Sequence, residues 1–245
     1  MSWFTVGLVL VIVAVGAWRF RQSAARQRSL MLLCQHAGLD FAPVDLFGDT
    51  AWLPFPMFGR PKVGTENVVW ERARGTEIRA FDFSYEDPAP DRRGSPRRRL
   101  TCAVVPLPGS APRLRIAPRD VDDEIRDLLD LPEIELELEA FNRRFVVETE
   151  DQRFAVAFLE QRMMEALLAL PDGVTVDVNE NVVLLSAPLL PAELVLRLYD
   201  AAVAVHRRIP HSLASLYPPR PIEGPYEDRW LQGHWTPDPT ERRTT

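Results

Sequence analysis

Cysteine and lysine are scarce in this sequence of 245 residues. Cys34 and Cys102 are its two cysteines, and two thiols cannot form a disulfide framework or a zinc site built from cysteines. Lys62 is the single lysine among 29 basic residues. The hydrophobic fraction of 46% excludes a collagen-like or wholly disordered chain and is ample for a buried core.

The standard catalytic and nucleotide-binding motifs are also missing. No G-x-G-x-x-G, G-x-x-x-x-G-K-S/T, G-x-S-x-G or H-E-x-x-H pattern occurs, although each would build a recognisable phosphate, nucleophile or zinc site. We therefore predict no catalytic residue, no cofactor and no metal ligand, and we lean towards a protein that is not an enzyme.

Positive charge is concentrated at one end of the chain. Residues 1–37 carry four arginines and no acid, whereas the whole chain has a net charge of −6. The remainder is therefore acidic, and nucleic acid is excluded as a partner because it requires a basic surface.

The N-terminus carries the strongest pattern. Residues 3–18 are uncharged with tryptophan at each end, and the first basic residues follow them, at Arg19, Arg21, Arg26 and Arg28. This pattern predicts a single-pass transmembrane helix that contacts the lipid bilayer through residues 3–18. By the positive-inside rule the N-terminus lies outside the cell membrane and the soluble domain is cytoplasmic. A signal peptide cleaved near Ala17 is the alternative, but no basic residue precedes the apolar run.

Composition divides the chain into three parts. Residues 1–37 form the anchor and a basic helical neck, 38–209 a soluble domain, and 210–245 a proline-rich tail expected to be disordered or draped over the surface. Within the domain, Trp52 to Phe58 is apolar but broken by prolines, so we expect it to pack onto the domain edge. Contact of that stretch with a membrane surface is the alternative.

The order of the predicted elements indicates the α+β class, with an N-terminal transmembrane helix followed by one mainly antiparallel sheet domain packed with helices. Alternating apolar residues predict strands, and apolar residues at helical spacing predict helices. Asp151 is expected to cap the longest helix of the domain. The predicted strands are 67–74, 77–86, 98–106, 113–117, 133–139, 143–149, 174–178 and 182–186, the last two joined as a hairpin, and the predicted helices are 120–131, 151–170 and 191–208.

Acidic side chains offer the one alternative chemistry. Asp82 and Glu86 lie on a predicted strand, and four glutamates alternate along another, at Glu133, Glu135, Glu137 and Glu139. Paired carboxylates can act as general acid and base when burial perturbs their pKa. Strict alternation with apolar residues instead indicates a solvated sheet face. The acidic run at 120–124 lacks the spacing of a calcium loop and suits a helix N-terminus.

The remaining candidates each have a structural interpretation. His206 and His211 are separated by Pro210, so they do not share a helical face as paired metal ligands would. The arginines at 97–99 are expected to be a solvated edge strand. Met163 and Met164 cannot face the same side of a helix, so one is expected in the core and the other at its margin.

Two short stretches carry a resemblance to known proteins. The strand Phe141 to Val147 has the pattern FN-x-x-F-x-V, and the helix after it has M-E-x-L-L at Met164 to Leu168. This pair resembles a bacterial domain-of-unknown-function family of membrane-associated proteins. The whole chain looks like uncharacterised single-pass membrane proteins of actinobacteria, through Phe81 to Phe83 and Thr101 to Val104 as well. The resemblance implies a membrane location and this general fold, and it carries over no catalytic residue.

Two functional hypotheses remain. The first is a membrane-tethered cytoplasmic module, without catalytic activity, that binds a protein or acts as its accessory. The alternative is a membrane-bound hydrolase or transferase that uses carboxylates in a cleft of the soluble domain. Buried acids converging on a pocket favour the second, and a flat, solvated acidic face favours the first.

Overall fold

The computed structural model describes residues 21–46, 48, 50–60, 62–71, 78–86, 97–119 and 131–219. The strands are β1 (Asp40–Val44), β2 (Gly64–Trp70), β3 (Arg79–Glu86), β4 (Arg97–Pro118), β5 (Glu133–Ile134), β6 (Phe145–Thr149) and β7 (Thr175–Pro188). The helices are α1 (21–37), α2 (Glu139–Arg144), α3 (Gln152–Phe158), α4 (Gln161–Leu168), α5 (Ala192–His206) and α6 (Leu213–Leu216), with a 3₁₀ turn at Thr50–Trp52.

All the strand pairs of this sheet are antiparallel. The path runs β1-β2-β3-β4-β6-β5, and β7 lies along the edge of β4 opposite to β3 and β6. The predicted α+β domain with a mainly antiparallel sheet is therefore confirmed.

The two faces of the sheet are covered differently. One face, the helix side, packs against the helices through a large cluster that includes Leu30, Phe141, Phe154, Met163 and Leu198. The other face, the loop side, is covered by the segment 53–58, whose apolar side chains lie on the strands. Successive side chains of a strand point to opposite faces of the sheet, so the same strands contribute side chains to both clusters.

Aromatic rings hold the loop-side cluster together. Phe58 contacts Phe83 edge-to-face with ring centroids 4.6 Å apart, and it lies 6.3 Å from Phe81. Leu53, Phe55 and Met57 are buried beside it. The expectation that 52–58 packs onto the domain therefore holds for these side chains, while Trp52 is 53% exposed.

The strands β4 and β7 are each longer than predicted. The expected strands 98–106 and 113–117 are one strand, and the expected hairpin 174–178/182–186 is also one strand. Instead of turning, β7 bulges at Glu180, which has a φ of 50° and lies opposite Ala111 where the register of both strands shifts. Pairing between the two long strands on both sides of the bulge outweighs the local turn preference of Asn179 to Asn181.

The stretch 133–144 was expected to be mostly strand and is not. Only Glu133–Ile134 pairs with β6, and a helix begins at Glu139. The side chain of Asn142 explains the break, because its Nδ2 donates to the carbonyl of Leu136 at 2.6 Å and its Oδ1 accepts from the N–H of Leu136 at 3.1 Å. The backbone N–H and carbonyl of Leu136 thus bond a side chain instead of the backbone of a paired strand.

The predicted helix 151–170 is broken into α3 and α4 near Glu160, whereas α5 matches its predicted span closely. Asp151 is the N-cap of α3 as predicted, accepting hydrogen bonds from the N–H groups of Arg153 and Phe154. Met163 and Met164 are both buried in the helix-side cluster. The predicted helix 120–131 lies, except for residue 131, outside the described residues.

The prediction of a single-pass transmembrane protein is wrong on this structure. In the described ranges, which begin at residue 21, none of the helices combines the length and apolarity that crossing a bilayer requires. The predicted span 3–18 and its bilayer contact lie outside those ranges. The described helix α1 instead packs on the sheet, because Leu30 and Cys34 repeat at helical spacing and are buried in the helix-side cluster. The predicted cell-membrane localisation is corrected with it.

The predicted boundaries at 37/38 and 209/210 stay predictions, but the core crosses both. Leu30 lies before the first boundary and Leu213 after the second, and both are buried in one cluster. Tyr217 fixes the end of the described chain: its carbonyl accepts from the N–H of Ser110, and its hydroxyl donates to Asp151 at 2.9 Å. Residues 220–245 lie outside the described ranges.

We expect Gly109→Ala to destabilise the domain. A Cβ at this position would lie 2.5 Å from the carbonyl oxygen of Tyr217, a backbone atom that cannot move without breaking the bond to Ser110. The free energy of unfolding should fall by about 1–3 kcal/mol. Gly59→Ala is the control, since its nearest neighbour would be 3.8 Å away. Equal urea midpoints for the two variants would show that the close approach of Gly109 to Tyr217 does not limit stability.

The Asp151 cap should stabilise the domain in a pH-dependent way. Desolvation would raise the pKa of Asp151, but the hydrogen bonds from Tyr217, Phe154 and Arg153 outweigh it and hold this pKa below its usual value. The stabilisation is therefore present above the unfolded-state pKa of about 3.9 and is lost as the pH falls through the lower folded-state value.

Asp151→Ala is expected to lower the free energy of unfolding by about 1 kcal/mol near neutral pH. The difference from the unmodified protein should shrink in urea titrations at about pH 3 or below. Tyr217→Phe removes one of the three hydrogen bonds and should give a smaller loss. A difference that is as large in acid as at neutral pH would show that the charge of Asp151 is not involved.

Candidate functional site

Asp82 is one of the acids that the sequence offered for catalysis. Its side chain is buried on the helix side, and both carboxylate oxygens accept hydrogen bonds. Both its carboxylate oxygens accept from the guanidinium of Arg26, at 2.7 Å each. Asn67 donates to it at 2.8 Å and Thr101 at 3.1 Å. Four donated hydrogen bonds and a paired cation make this carboxylate a structural centre, because a general base needs a free lone pair facing substrate.

The same arginine reaches a further element. Nη1 of Arg26 donates to the carbonyl of Leu190, and the N–H of Leu190 donates to the hydroxyl of Thr101. Helix α1, strands β3 and β4 and the start of α5 are therefore joined through one carboxylate.

The other acids of the alternative hypothesis do not converge. Glu86 pairs with Lys62 at the surface, where the two side chains are 32% and 72% exposed. Glu133 pairs with Arg119 at 3.4 Å, and Glu135, Glu137 and Glu139 are exposed as their alternation predicted. The run at 120–124 lies outside the described ranges.

Histidine and cysteine side chains are dispersed. His36 bonds the carbonyl of Leu32 within its own helix. Burial lowers the pKa of His206 despite its bond to the carbonyl of Pro106. Burial raises the pKa of Cys34 to about 11, and it also raises the pKa of Cys102, so neither thiol is a ready nucleophile. In the described part of the chain, no three His, Cys, Asp or Glu side chains are grouped as a metal site.

A cleft opens on the loop side of the sheet, beside the aromatic cluster. It lies between the segment 54–57 and the strands β4 and β7, and it is partly open to solvent. Most of its lining is apolar, from Pro54, Phe55, Met57, Leu131 and Leu184. The Nδ2 of Asn179 donates to the carbonyl of Pro54 and ties the covering segment to β7.

A row of charges crosses the sheet beside this cleft, and Arg115 and Asp177 of the row line it. Arg115 of β4 is in register with Glu148 of β6 on one side and Asp177 of β7 on the other. Its Nη1 donates to Asp177 at 2.6 Å, and the two side chains are 3% and 14% exposed. Arg115 alternates with Leu114 and Ile116 of the helix side, which places the row on the loop side.

Sequence reasoning missed this row. Arg115 and Asp177 lie in the predicted strands 113–117 and 174–178, but neither was singled out as a candidate. The available signal was one basic residue in one strand and one acidic residue in the other, each between apolar neighbours. The segment 54–57 lines the same cleft but lies far from both residues in the chain, so no local pattern in β4 or β7 could indicate it.

We expect Asp82→Asn to destabilise the protein strongly. It leaves the charge of Arg26 without its buried partner, and breaking such a pair costs about 3 kcal/mol or more. Glu86→Gln is the matched control, because it breaks an exposed pair worth no more than about 1 kcal/mol. Chemical denaturation of both variants measures the difference. Similar losses would mean that the Asp82 network does not anchor α1.

Comparison with known proteins shows that this chain shares its fold with a protein of known structure. The sequence matches no protein-family model, and no curated protein matches it. The resemblance to actinobacterial membrane proteins therefore stays a prediction. Among solved structures, the chain is similar to the mycobacterial trehalose monomycolate transport factor A, with a TM-score of 0.52 and 17% identity. The similarity covers 80% of this chain and 98% of that one. At this identity, what the two proteins share is the fold.

Proposed function

We propose that this protein is a non-enzymatic accessory module of a transport process and that it acts by binding another protein. The similarity to the trehalose monomycolate transport factor carries the proposal, because it spans 98% of that chain. A likeness of this extent concerns the complete folded unit of the factor and not a fragment of it. The shared fold alone does not fix a function, so the site must supply further support.

The use made of the acidic side chains supports an accessory role. The carboxylate of Asp82 accepts four hydrogen bonds. At the surface, Glu86 forms an ion pair with Lys62 and Glu133 with Arg119, and Asp177 forms one with Arg115. A carboxylate mechanism requires two acids facing one substrate, with one of them free to exchange a proton. Of the acids just named, Asp82 lies on the helix side and Asp177 on the loop side, while Glu86 and Glu133 lie at the surface, so these four do not form such a pair.

Trp52 is the side chain we assign to partner binding. It is 53% exposed, at the start of the segment that covers the loop side. Tryptophan is enriched among the residues that dominate protein interfaces, because it buries a large rigid apolar area and keeps a donor for a hydrogen bond. A partner that covers Trp52 would also cover the rim of the loop side.

The test begins with a photo-reactive amino acid placed at Trp52 in the full chain, expressed in its own host. Val156 is the control position, since it is exposed to a similar degree, 56%, on helix α3. We expect a protein to be cross-linked from position 52 and not from position 156. That protein is then purified, and its affinity for the unmodified chain, Trp52→Ala and Val156→Ala is measured by titration calorimetry.

Trp52→Ala should weaken the affinity about tenfold or more, equivalent to about 1.4 kcal/mol, whereas Val156→Ala should leave it unchanged. A cross-linked protein whose affinity does not respond to Trp52→Ala would refute the assignment. Hydrolysis of ester, phosphate or glycoside substrates by the purified chain, lost in a surface-acid variant such as Glu137→Gln, would instead establish the enzymatic alternative.

A further inference from the structure

Basic side chains gather at one end of the sheet, where β3 ends and β4 begins. Arg97–Arg99 are the first residues of β4, and all three are exposed. Glu86 and Tyr85 of β3 are in register with the first two of these arginines. Glu86 also accepts a hydrogen bond from Lys62 at 2.8 Å, and the guanidinium of Arg60 lies over the ring of Tyr85. Directly opposite residues of an antiparallel pair lie about 4.5–5.5 Å apart at Cβ, so these cations form one surface. We call it the basic end and define it by Arg60, Lys62, Arg97, Arg98 and Arg99.

The carboxylates of this surface do not balance its positive charge. Lys62 is paired with Glu86 and Arg99 with Glu66, and all four side chains are between 32% and 72% exposed. Exposed ion pairs of this kind are weak, so both cations stay accessible to a further carboxylate. Arg97 donates instead to the neutral hydroxyl of Ser84 at 2.8 Å, and among the described residues no carboxylate forms an ion pair with it. Its guanidinium is therefore an exposed charge without compensation.

Trp52, which we assign to partner binding, lies towards the same end of the sheet. Asp45 holds the turn Thr50–Trp52 by accepting a hydrogen bond from the hydroxyl of its first residue. Asp45 directly follows β1, and the last residue of that strand, Val44, is in register with Glu66. Glu66 is the acid that Arg99 bonds. One partner can therefore contact Trp52 and the basic end together.

The charge of the whole chain favours a short acidic segment over an extended polyanion. The chain has a net charge of −6, so a nucleic acid or an anionic bilayer would also approach its acidic surface. Screening restricts the attraction of exposed charges to about 10 Å at 0.1 M salt. A short segment can therefore lie at the basic end without meeting the other acids. Arginine suits such a segment because its planar guanidinium can bond both oxygens of one carboxylate.

We propose that the basic end binds an acidic segment of the partner protein, with one carboxylate of that segment on the guanidinium of Arg97. This inference rests on the proposed function and names the chemistry of the partner. Complementary charge of this kind speeds association and selects the partner.

The direct probe is an octaglutamate peptide with a fluorescent label, titrated into the full chain at low salt and measured by fluorescence anisotropy. We expect saturable binding of one peptide per chain, which weakens as salt is added because the contacts are exposed charges. Octaglutamine with the same label is the control and should not bind. Absence of saturable octaglutamate binding, or equal binding of both peptides, would overturn the proposal.

Arg97→Gln should weaken octaglutamate binding about threefold or more, because it removes the uncompensated charge. Arg208→Gln is the matched control. Arg208 is also exposed and donates to a neutral acceptor, the carbonyl of Ala204 at 2.9 Å, but it lies after α5 and outside the basic end. Equal effects of the two variants would show that the peptide responds to net charge alone and would refute the site.

A second measurement uses the unmodified chain, in case Arg97→Gln fails to fold. Amide chemical shifts of the isotope-labelled chain are followed by NMR during the octaglutamate titration. Shifts centred on 60–66, 84–86 and 97–99 support the basic end, and shifts confined to other residues refute it. Tighter binding of phosphatidylglycerol vesicles or of a single-stranded DNA oligonucleotide at the same salt would overturn the assignment to an acidic protein segment.

The outcomes separate this inference from the proposed function. If Trp52→Ala weakens binding of the cross-linked protein but octaglutamate does not bind, the inference about the basic end alone fails. If octaglutamate binds at the basic end and no protein is cross-linked from position 52, the proposed function alone fails.

Discussion

The carboxylate of Asp82 is the interaction on which the arrangement of this domain depends. It lies in the centre of a strand and is buried, so the fold must supply it with donors. The donors Arg26, Asn67 and Thr101 come from three separate segments, and Arg26 brings helix α1 onto the sheet while it also bonds the carbonyl of Leu190 before α5. Because a buried charge without its partner is very costly, these segments cannot separate independently.

The helices pack on one face of the sheet. On the other face, among the described residues, 53–58 cover the part that is rich in aromatic rings. Beyond their edge the same face carries Arg115 between two acids. Apolar side chains of the covering segment and the buried pair of Arg115 and Asp177 therefore line one cleft.

Local patterns predicted those features whose cause is local. Asp151 caps α3 because a carboxylate can accept the free N–H groups of the first turn, and the ladder Glu133 to Glu139 is exposed because its apolar partners face inward. The errors concern competition with distant residues. Asn179 to Asn181 has the composition of a turn, yet β7 stays paired with β4 on both sides of it. Glu133 to Glu139 alternates like a strand, yet only its first two residues pair with β6, and the side chain of Asn142 bonds the backbone of Leu136.

The sequence by itself determined the α+β class, the antiparallel sheet, the α5 helix and the Asp151 cap, since hydrophobic period and capping chemistry act within a few residues. It also determined that the chain lacks the standard catalytic motifs. Only the tertiary structure decided that Asp82 is a structural centre and that α1 packs on the sheet. It also decided that Arg115 and Asp177 line a cleft. Each of these outcomes depends on which distant residue comes within hydrogen-bond distance, as Arg26 does with Asp82 across 56 positions of the chain. A pattern along one segment of the sequence carries no information about such a distance.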